Sequence, residues 1–193
     1  MAKHKKRSQK KEFPTRLPGD PSKEQLLEQL IRVDHAGEYG AVRIYEGQLA
    51  VLKKKSCAPI ISHMLEQETV HKETFDNLIN KHRVRPSALI PLWHLAGFAV
   101  GATTAMMGEK AAMACTVGVE DAIDEHYQSQ IEALEQYKDE SELRDICIKF
   151  REEELEHRDT GIEHGAEQAL GYEVLTKAVK AGSRLAIWLS KRF

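Results

Sequence analysis

The residues best equipped for chemistry in this sequence are glutamates and histidines standing where apolar side chains would be expected. Glu68 and His71 lie three apart in the run 64–75, which holds good helix formers and neither Gly nor Pro. Three helical residues subtend about 300°, so the two side chains project about 60° apart and one ion can take both. Ile61, Met64, Leu65 and Phe75 fall at turn offsets from Glu68. The carboxylate is therefore on the apolar stripe, where an unpaired charge is costly. Something should neutralise it.

The pattern returns at Glu154 and His157, with Phe150 and Cys147 one and two turns before Glu154. Two solitary glutamates also interrupt apolar stripes. Glu38 has Leu27, Ile31, Ala41, Val42 and Tyr45 at helical offsets, and Glu120 has Met113, Val117, Ile123, Tyr127 and Ile131. Along the chain the order is Glu, Glu-x-x-His, Glu, Glu-x-x-His. A single Glu-x-x-His is commonplace. The weight comes from the alternation and the apolar placement.

Four ionised glutamates in a bundle core cost several kcal/mol each after relaxation. Two divalent ions neutralise all four, whereas one leaves two unpaired. Carboxylate oxygen with imidazole nitrogen suits iron or manganese at open positions more than a closed zinc cage. The expected metal ligands are thus Glu38, Glu68, His71, Glu120, Glu154 and His157, the set found in ferritin-like dinuclear carboxylate proteins. Glu153 is the alternative to Glu154. Asp34 and Asp124, one turn from Glu38 and Glu120, could hold the ring N–H of ligand histidines, or be capping or surface groups. His126 and Tyr127 are candidate catalytic residues; Tyr127 lines a substrate pocket or is a core tyrosine. His35, His63, His94 and His164 are read as surface or core residues.

Helices must position these groups. The first is expected from a Ser22 cap, with Gln25 three residues on, to about residue 55. The second spans 58–82, with Pro59 acceptable in its first turn. Residues 86–108 contain no Asp, Glu, Lys or Arg. This crossover either lies at a membrane surface, dipping into one leaflet, or packs as a buried helix on the bundle. Helices over 109–138 and 141–169 follow, and Gly171 is a stop. Residues 172–193 form a basic amphipathic helix, suited to a membrane surface or to the bundle end. Glu38 to Glu120 is 82 residues and Glu68 to Glu154 is 86, so two helical hairpins repeat. The expected fold is all-α: a four-helix bundle with a long apolar crossover helix and an extra C-terminal amphipathic helix.

The totals agree with one domain. The chain has 193 residues, 41% hydrophobic content and a formal net charge of −2. That balance gives no reason to expect a nucleic-acid partner. Cys57, Cys115 and Cys147 suit reduced thiols rather than a disulfide framework. The sequence shows no Cys-x-x-Cys and no phosphate-binding glycine loop. Residues 1–22 are basic and broken by Pro and Gly, and are expected to be a disordered tail ahead of a single domain over 23–193.

The segment Asp34-His35-Ala36-Gly37-Glu38-Tyr39-Gly40-Ala41, followed by Arg43-Ile44-Tyr45, carries a further signal together with the two Glu-x-x-His pairs, Val119-Glu120 and His126-Tyr127. From about residue 25 onward the chain resembles the demethoxyubiquinone monooxygenases. The resemblance implies a ferritin-like di-iron fold that hydroxylates a polyprenylated methoxy-benzoquinone with O2 in ubiquinone biosynthesis. It implies NADH or NADPH as electron source and peripheral contact with a membrane through 86–108 and 172–193. It also implies homo-oligomers or an accessory quinone-biosynthesis protein as partners. The quinone would sit beside the first and fourth helices, its tail leaving along the crossover and the C-terminal helix. The want of a leader pattern suggests the cytoplasmic face of a bacterial cell membrane, with the matrix face of the mitochondrial inner membrane as the alternative. The competing reading is a ferritin-like ferroxidase or iron-binding protein, which shares the ligands but has no use for the uncharged crossover.

Overall fold

Helix-forming segments punctuated by Ser, Pro and Gly give a chain built from α-helices. The structure, a computed structural model, describes residues 19–193. The basic tail expected over 1–22 lies mostly outside the described residues. Among those described there are six α-helices: α1 (Lys23–Leu52), α2 (Ala58–His82), α3 (Ile90–Met106), α4 (Glu109–Leu134), α5 (Ser141–Glu163) and α6 (Tyr172–Ser190). None is long and apolar enough to cross a membrane.

The local signals explain most boundaries. Ser22 Oγ accepts from Gln25 N while Ser22 N donates to Gln25 Oε1 at 2.8 Å, closing the box that starts α1. Pro59 sits in the first turn of α2, and Arg83 ends that helix in the left-handed region at φ 53°. Three expected ends are too long. The first helix stops at Leu52 rather than near 55, α4 at Leu134 rather than 138, and α5 at Glu163 rather than 169. After α4 a short 3-10 turn (Lys138–Glu140) leads into α5. After α5, Gly165 adopts φ 86° and turns the chain into a second 3-10 turn (Ala166–Gln168).

α1 pairs with α2, and α4 with α5. The two hairpins face each other to make the bundle. Two apolar clusters fill its ends. One gathers Ile31, Phe75, Leu134 and Phe150, and the other Leu52, Ile61, Met64 and Met113. The ionisable layer lies between them.

The repeat is larger than two hairpins. α3 packs on α1, and α6 packs on α4. The helices of the first half begin at Lys23, Ala58 and Ile90 and those of the second at Glu109, Ser141 and Tyr172, offsets of 86, 83 and 82 residues. The unit is a triplet of helices used twice. The third helix escaped the sequence pattern because α3 is uncharged and α6 is basic.

α3 is neither loose nor buried. Gly101, Thr104 and Ala105 are its buried residues, while Leu92, Leu95 and Met106 are exposed. Its inner face is nearly bare backbone against α1. A Cβ on Gly97 would lie 2.8 Å from Gly40 O, one on Gly47 would lie 2.8 Å from Ala102 N, and one on Gly101 would overlap the Ile44 carbonyl. These glycines permit close helix approach. Gly101→Ala should therefore destabilise the chain by about 1–3 kcal/mol, read as a lower midpoint in urea unfolding at unchanged slope.

Candidate metal centre

The six glutamates and histidines singled out by spacing come together from four helices. α1 supplies Glu38, α2 Glu68 and His71, α4 Glu120, and α5 Glu154 and His157. All six are at most 2% exposed. Ligand atoms of Glu38, Glu68, His71 and Glu154 lie within 4.8 Å of one another, as do those of Glu68, Glu120, Glu154 and His157. Glu68 and Glu154 belong to both groups. The arrangement is two adjacent positions sharing two carboxylates, each completed by one terminal glutamate and one imidazole.

Both rings present Nδ1 inward. His71 Nδ1 is 3.2 Å from Glu154 Oε1 and 3.5 Å from Glu38 Oε2. His157 Nδ1 is 3.1 Å from Glu68 Oε1 and 3.2 Å from Glu154 Oε2. The outward nitrogens are held by other groups. His71 Nε2 meets Glu153 Oε2 at 2.6 Å, and His157 Nε2 meets Gln67 Oε1 at 3.0 Å. Each terminal glutamate accepts a tyrosine hydroxyl on Oε1: Tyr127 donates to Glu38 at 2.5 Å and Tyr45 to Glu120 at 2.7 Å.

Several inward atoms are left without any hydrogen-bond partner: Glu38 Oε2, both oxygens of Glu68, His71 Nδ1, Glu120 Oε2 and Glu154 Oε1. Buried polar atoms are rarely orphaned. Here they converge, and their types are those that bind a hard or borderline cation. The residues fit a pair of divalent ions.

The electrostatics agree. Burial first, then the charges of Glu154 and Glu38, push the Glu68 carboxyl well above its usual range. Burial, with Glu154 and Glu68, does the same to Glu120. Glu154 moves the other way. Burial opposes its charge, but the hydrogen bond to His157 and the close His71 and His157 rings outweigh burial and hold it at about 2. Burial also opposes charging of His71, yet its contacts with Glu154 and Glu38 raise it to about 12. Opposed shifts among neighbouring buried groups are what a cluster of like charges produces, and cations bound there would displace protons.

The surroundings correct several expectations. Asp34 and Asp124 do not hold the ligand-type histidines. Asp34 Oδ1 accepts from Gln130 Nε2 at 2.5 Å and faces His126 Nε2 at 3.1 Å, and Asp124 pairs with Arg151 at 2.7 Å. Glu153 is not a substitute for Glu154: it sits outside the cluster, behind His71. Gln67 and Tyr45 were missed as supports. Their signal was positional, since Gln67 directly precedes Glu68 and Tyr45 lies two turns beyond Glu38. Of the histidines read as surface or core, His35 meets Asp76 at 2.9 Å and His94 meets Tyr39 at 2.6 Å. Cys57, Cys115 and Cys147 are free and buried. Burial raises the thiols of Cys57 to about 11 and Cys115 to about 12.

A cavity of about 610 Å³ is lined by α1, α3, α4 and α6. Gly37, Gly40 and Ala41 of α1 and Val119 and Ile123 of α4 form its floor. Gly37 and Val119 directly precede Glu38 and Glu120 in the chain. Its lining is almost wholly apolar. Tyr127, considered as a lining residue, is not among those that line it; it is a 1% exposed core tyrosine tied to Glu38.

Fold and centre together define a ferritin-like helical bundle with a two-position carboxylate–histidine cluster. The family model described as "Ubiquinone biosynthesis protein COQ7" matches residues 25–190. A 3-demethoxyubiquinol 3-hydroxylase of Rhodospirillum rubrum is 55% identical over 186 residues, covering 96% of this chain and 87% of the relative. The rat protein named NADPH-dependent 3-demethoxyubiquinone 3-hydroxylase, mitochondrial, is 52% identical over 169 residues, 86% of this chain and 78% of its own. The mitochondrial 5-demethoxyubiquinone hydroxylase of Saccharomyces cerevisiae is 43% identical over 182 residues, 86% of this chain and 78% of its own. The chain belongs to the COQ7 family.

Removing the Tyr127 hydroxyl would leave Glu38 Oε1 buried without its donor. Tyr127→Phe should cost about 1–3 kcal/mol of stability in the metal-free protein, measured by urea unfolding, with helix content by circular dichroism unchanged.

Proposed function

We propose that this chain is a quinone-ring hydroxylase of ubiquinone biosynthesis, placing an oxygen from O2 on demethoxyubiquinone with two iron ions held at the buried centre. One observation carries the reading. A cluster of orphaned carboxylate and imidazole atoms shares the α1 and α4 backbone with an apolar cavity large enough for a substituted ring. The names of the relatives supply the reaction class. A ferroxidase would need the ligands but not the cavity, and no relative quoted above carries such a name.

In this reading Glu38 and His71 would hold one iron and Glu120 and His157 the other, with Glu68 and Glu154 within reach of both. The irons, when bound, supply Lewis acidity and redox capacity toward dioxygen. The protein supplies placement. Tyr45 and Tyr127 fix the terminal carboxylates so that Oε2 of each faces inward. Gly37 and Gly40 keep the cavity floor low beside Glu38, which lets a planar ring approach the centre. The apolar walls would exclude water from the reacting face. His126 is a 3.1 Å partner of Asp34, and with Gln130 it braces the turn of α1 below Glu38. The electron source is a reduced nicotinamide, as the rat relative's name suggests; the chain has no glycine-loop signature for binding one.

The prenyl tail leaves between α3 and α6. Leu92, Leu95 and Met106 of α3 and Leu185 and Trp188 of α6 are exposed, apolar side chains that suit contact with lipid. Arg192, just past the end of α6, lies 3.7 Å over the Trp188 ring, a cation beside an exposed aromatic where acidic headgroups would meet it. The chain therefore attaches to one membrane face without spanning it.

Glu68→Ala and His157→Ala should each lower bound iron below two per chain and slow hydroxylation by more than about 100-fold. Two irons and full turnover in either variant would end the assignment. Gly40→Ala separates cavity from fold. A Cβ there meets nothing within 4 Å. The variant should gain about 0.5–1 kcal/mol of stability in thermal melts while its KM for quinone rises, because the methyl group enters the cavity.

A further inference from the structure

Most of the centre is matched pairwise between the two halves of the chain. Each terminal glutamate accepts one tyrosine hydroxyl on Oε1 and turns an unpartnered Oε2 inward. Each imidazole faces inward through Nδ1, and both bridging glutamates belong to both positions. The mismatch lies one shell out. The residue directly before each bridging glutamate reaches across to the histidine of the opposite half. Before Glu154 that residue is Glu153, on His71; before Glu68 it is Gln67, on His157. One histidine is backed by a carboxylate at 2.6 Å and the other by a neutral amide oxygen at 3.0 Å.

With a cation on Nδ1, the ring proton resides on Nε2 and is donated outward. A carboxylate acceptor draws that proton more strongly than an amide, because the hydrogen bond is charge-assisted. Electron density shifts toward Nδ1, which becomes the better donor to a metal. Glu153 keeps this role although its side chain is 24% exposed and Lys149 Nζ stands 3.5 Å from its other oxygen, Oε1. Lys149 is itself mostly exposed, and Oε2 remains committed to His71.

We infer that Glu153 and Gln67 make the two metal positions unequal: the ion held by Glu38 and His71 binds first and more tightly, and the ion held by Glu120 and His157 binds second. Glu153 is a positioning residue, acting through His71. The inference rests on the two-ion reading above.

The test is anaerobic titration of the chelator-stripped full chain with Fe(II), followed calorimetrically. The unsubstituted chain should take up two equivalents in two resolved steps, with dissociation constants about 10–100-fold apart, the usual weight of such outer partners. Glu153→Gln should weaken the first step by that factor and merge the two. Gln67→Glu should strengthen the second step and merge them from the other side. The double variant Glu153→Gln with Gln67→Glu should restore two steps, which a merely structural role for Glu153 could not do, since the rescuing change is on another helix. Circular dichroism of each stripped variant checks the fold. Two equivalents bound with step affinities unaltered in Glu153→Gln, or a double variant that remains merged, would overturn the inference and leave the two-ion centre standing. Failure of the unsubstituted chain to bind two equivalents would overturn both.

Discussion

Four carboxylates facing one another in a dry interior are the constraint to which the rest of the molecule answers. Like charges at that distance, without bulk water, repel strongly enough to open a bundle. The chain meets the problem in layers. Two imidazoles stand among the carboxylates, two tyrosine hydroxyls take one oxygen from each terminal glutamate, and apolar clusters close both ends. What remains is a set of inward lone pairs with nothing to bind. A core optimised for stability alone would not keep them. Their persistence fits the cation pair proposed above.

The helices and their order were legible because the signals are local: a Ser–Gln box, a proline in a first turn, glycines at stops. The six clustered residues were legible for a different reason. Charged side chains on apolar stripes at three-residue spacing leave few alternatives once four such stripes occur in alternation. Helix ends were less legible. Residues 135–138 after Leu134 have fair helix propensity, yet the chain turns at Tyr137; after Glu163 the stop is Gly165, which lies before the end expected near 169. The outer supports were hidden most. Gln67 and Glu153 project from the same helices as the residues they flank, yet each serves a histidine of the other hairpin. Spacing along one helix cannot reveal a contact made across two.

The third helix of each half shows a related limit. α3 reads as greasy and α6 as basic, so their equivalence is invisible in composition. In space they play one part, each lying on the leading helix of its half and walling one side of the same cavity. Glycine tells the two surfaces of α1 apart. Gly47 is pressed against α3 backbone, whereas Gly37 and Gly40 look into open space. The same residue type serves close contact on one side and vacant volume on the other, and only coordinates distinguish them.

The crossed support of the histidines bears on how the molecule is assembled. Each ion position draws at least one ligand from each half of the chain, and each imidazole leans on a side chain from the opposite half. Neither half presents a finished coordination shell by itself. On the two-ion reading proposed above, metal capture would follow docking of the hairpins in their final alignment, and a slip of one helical turn would strip both rings of their braces at once. Loading with metal would then be the closing event of maturation, a chemical receipt that the two halves have met in register.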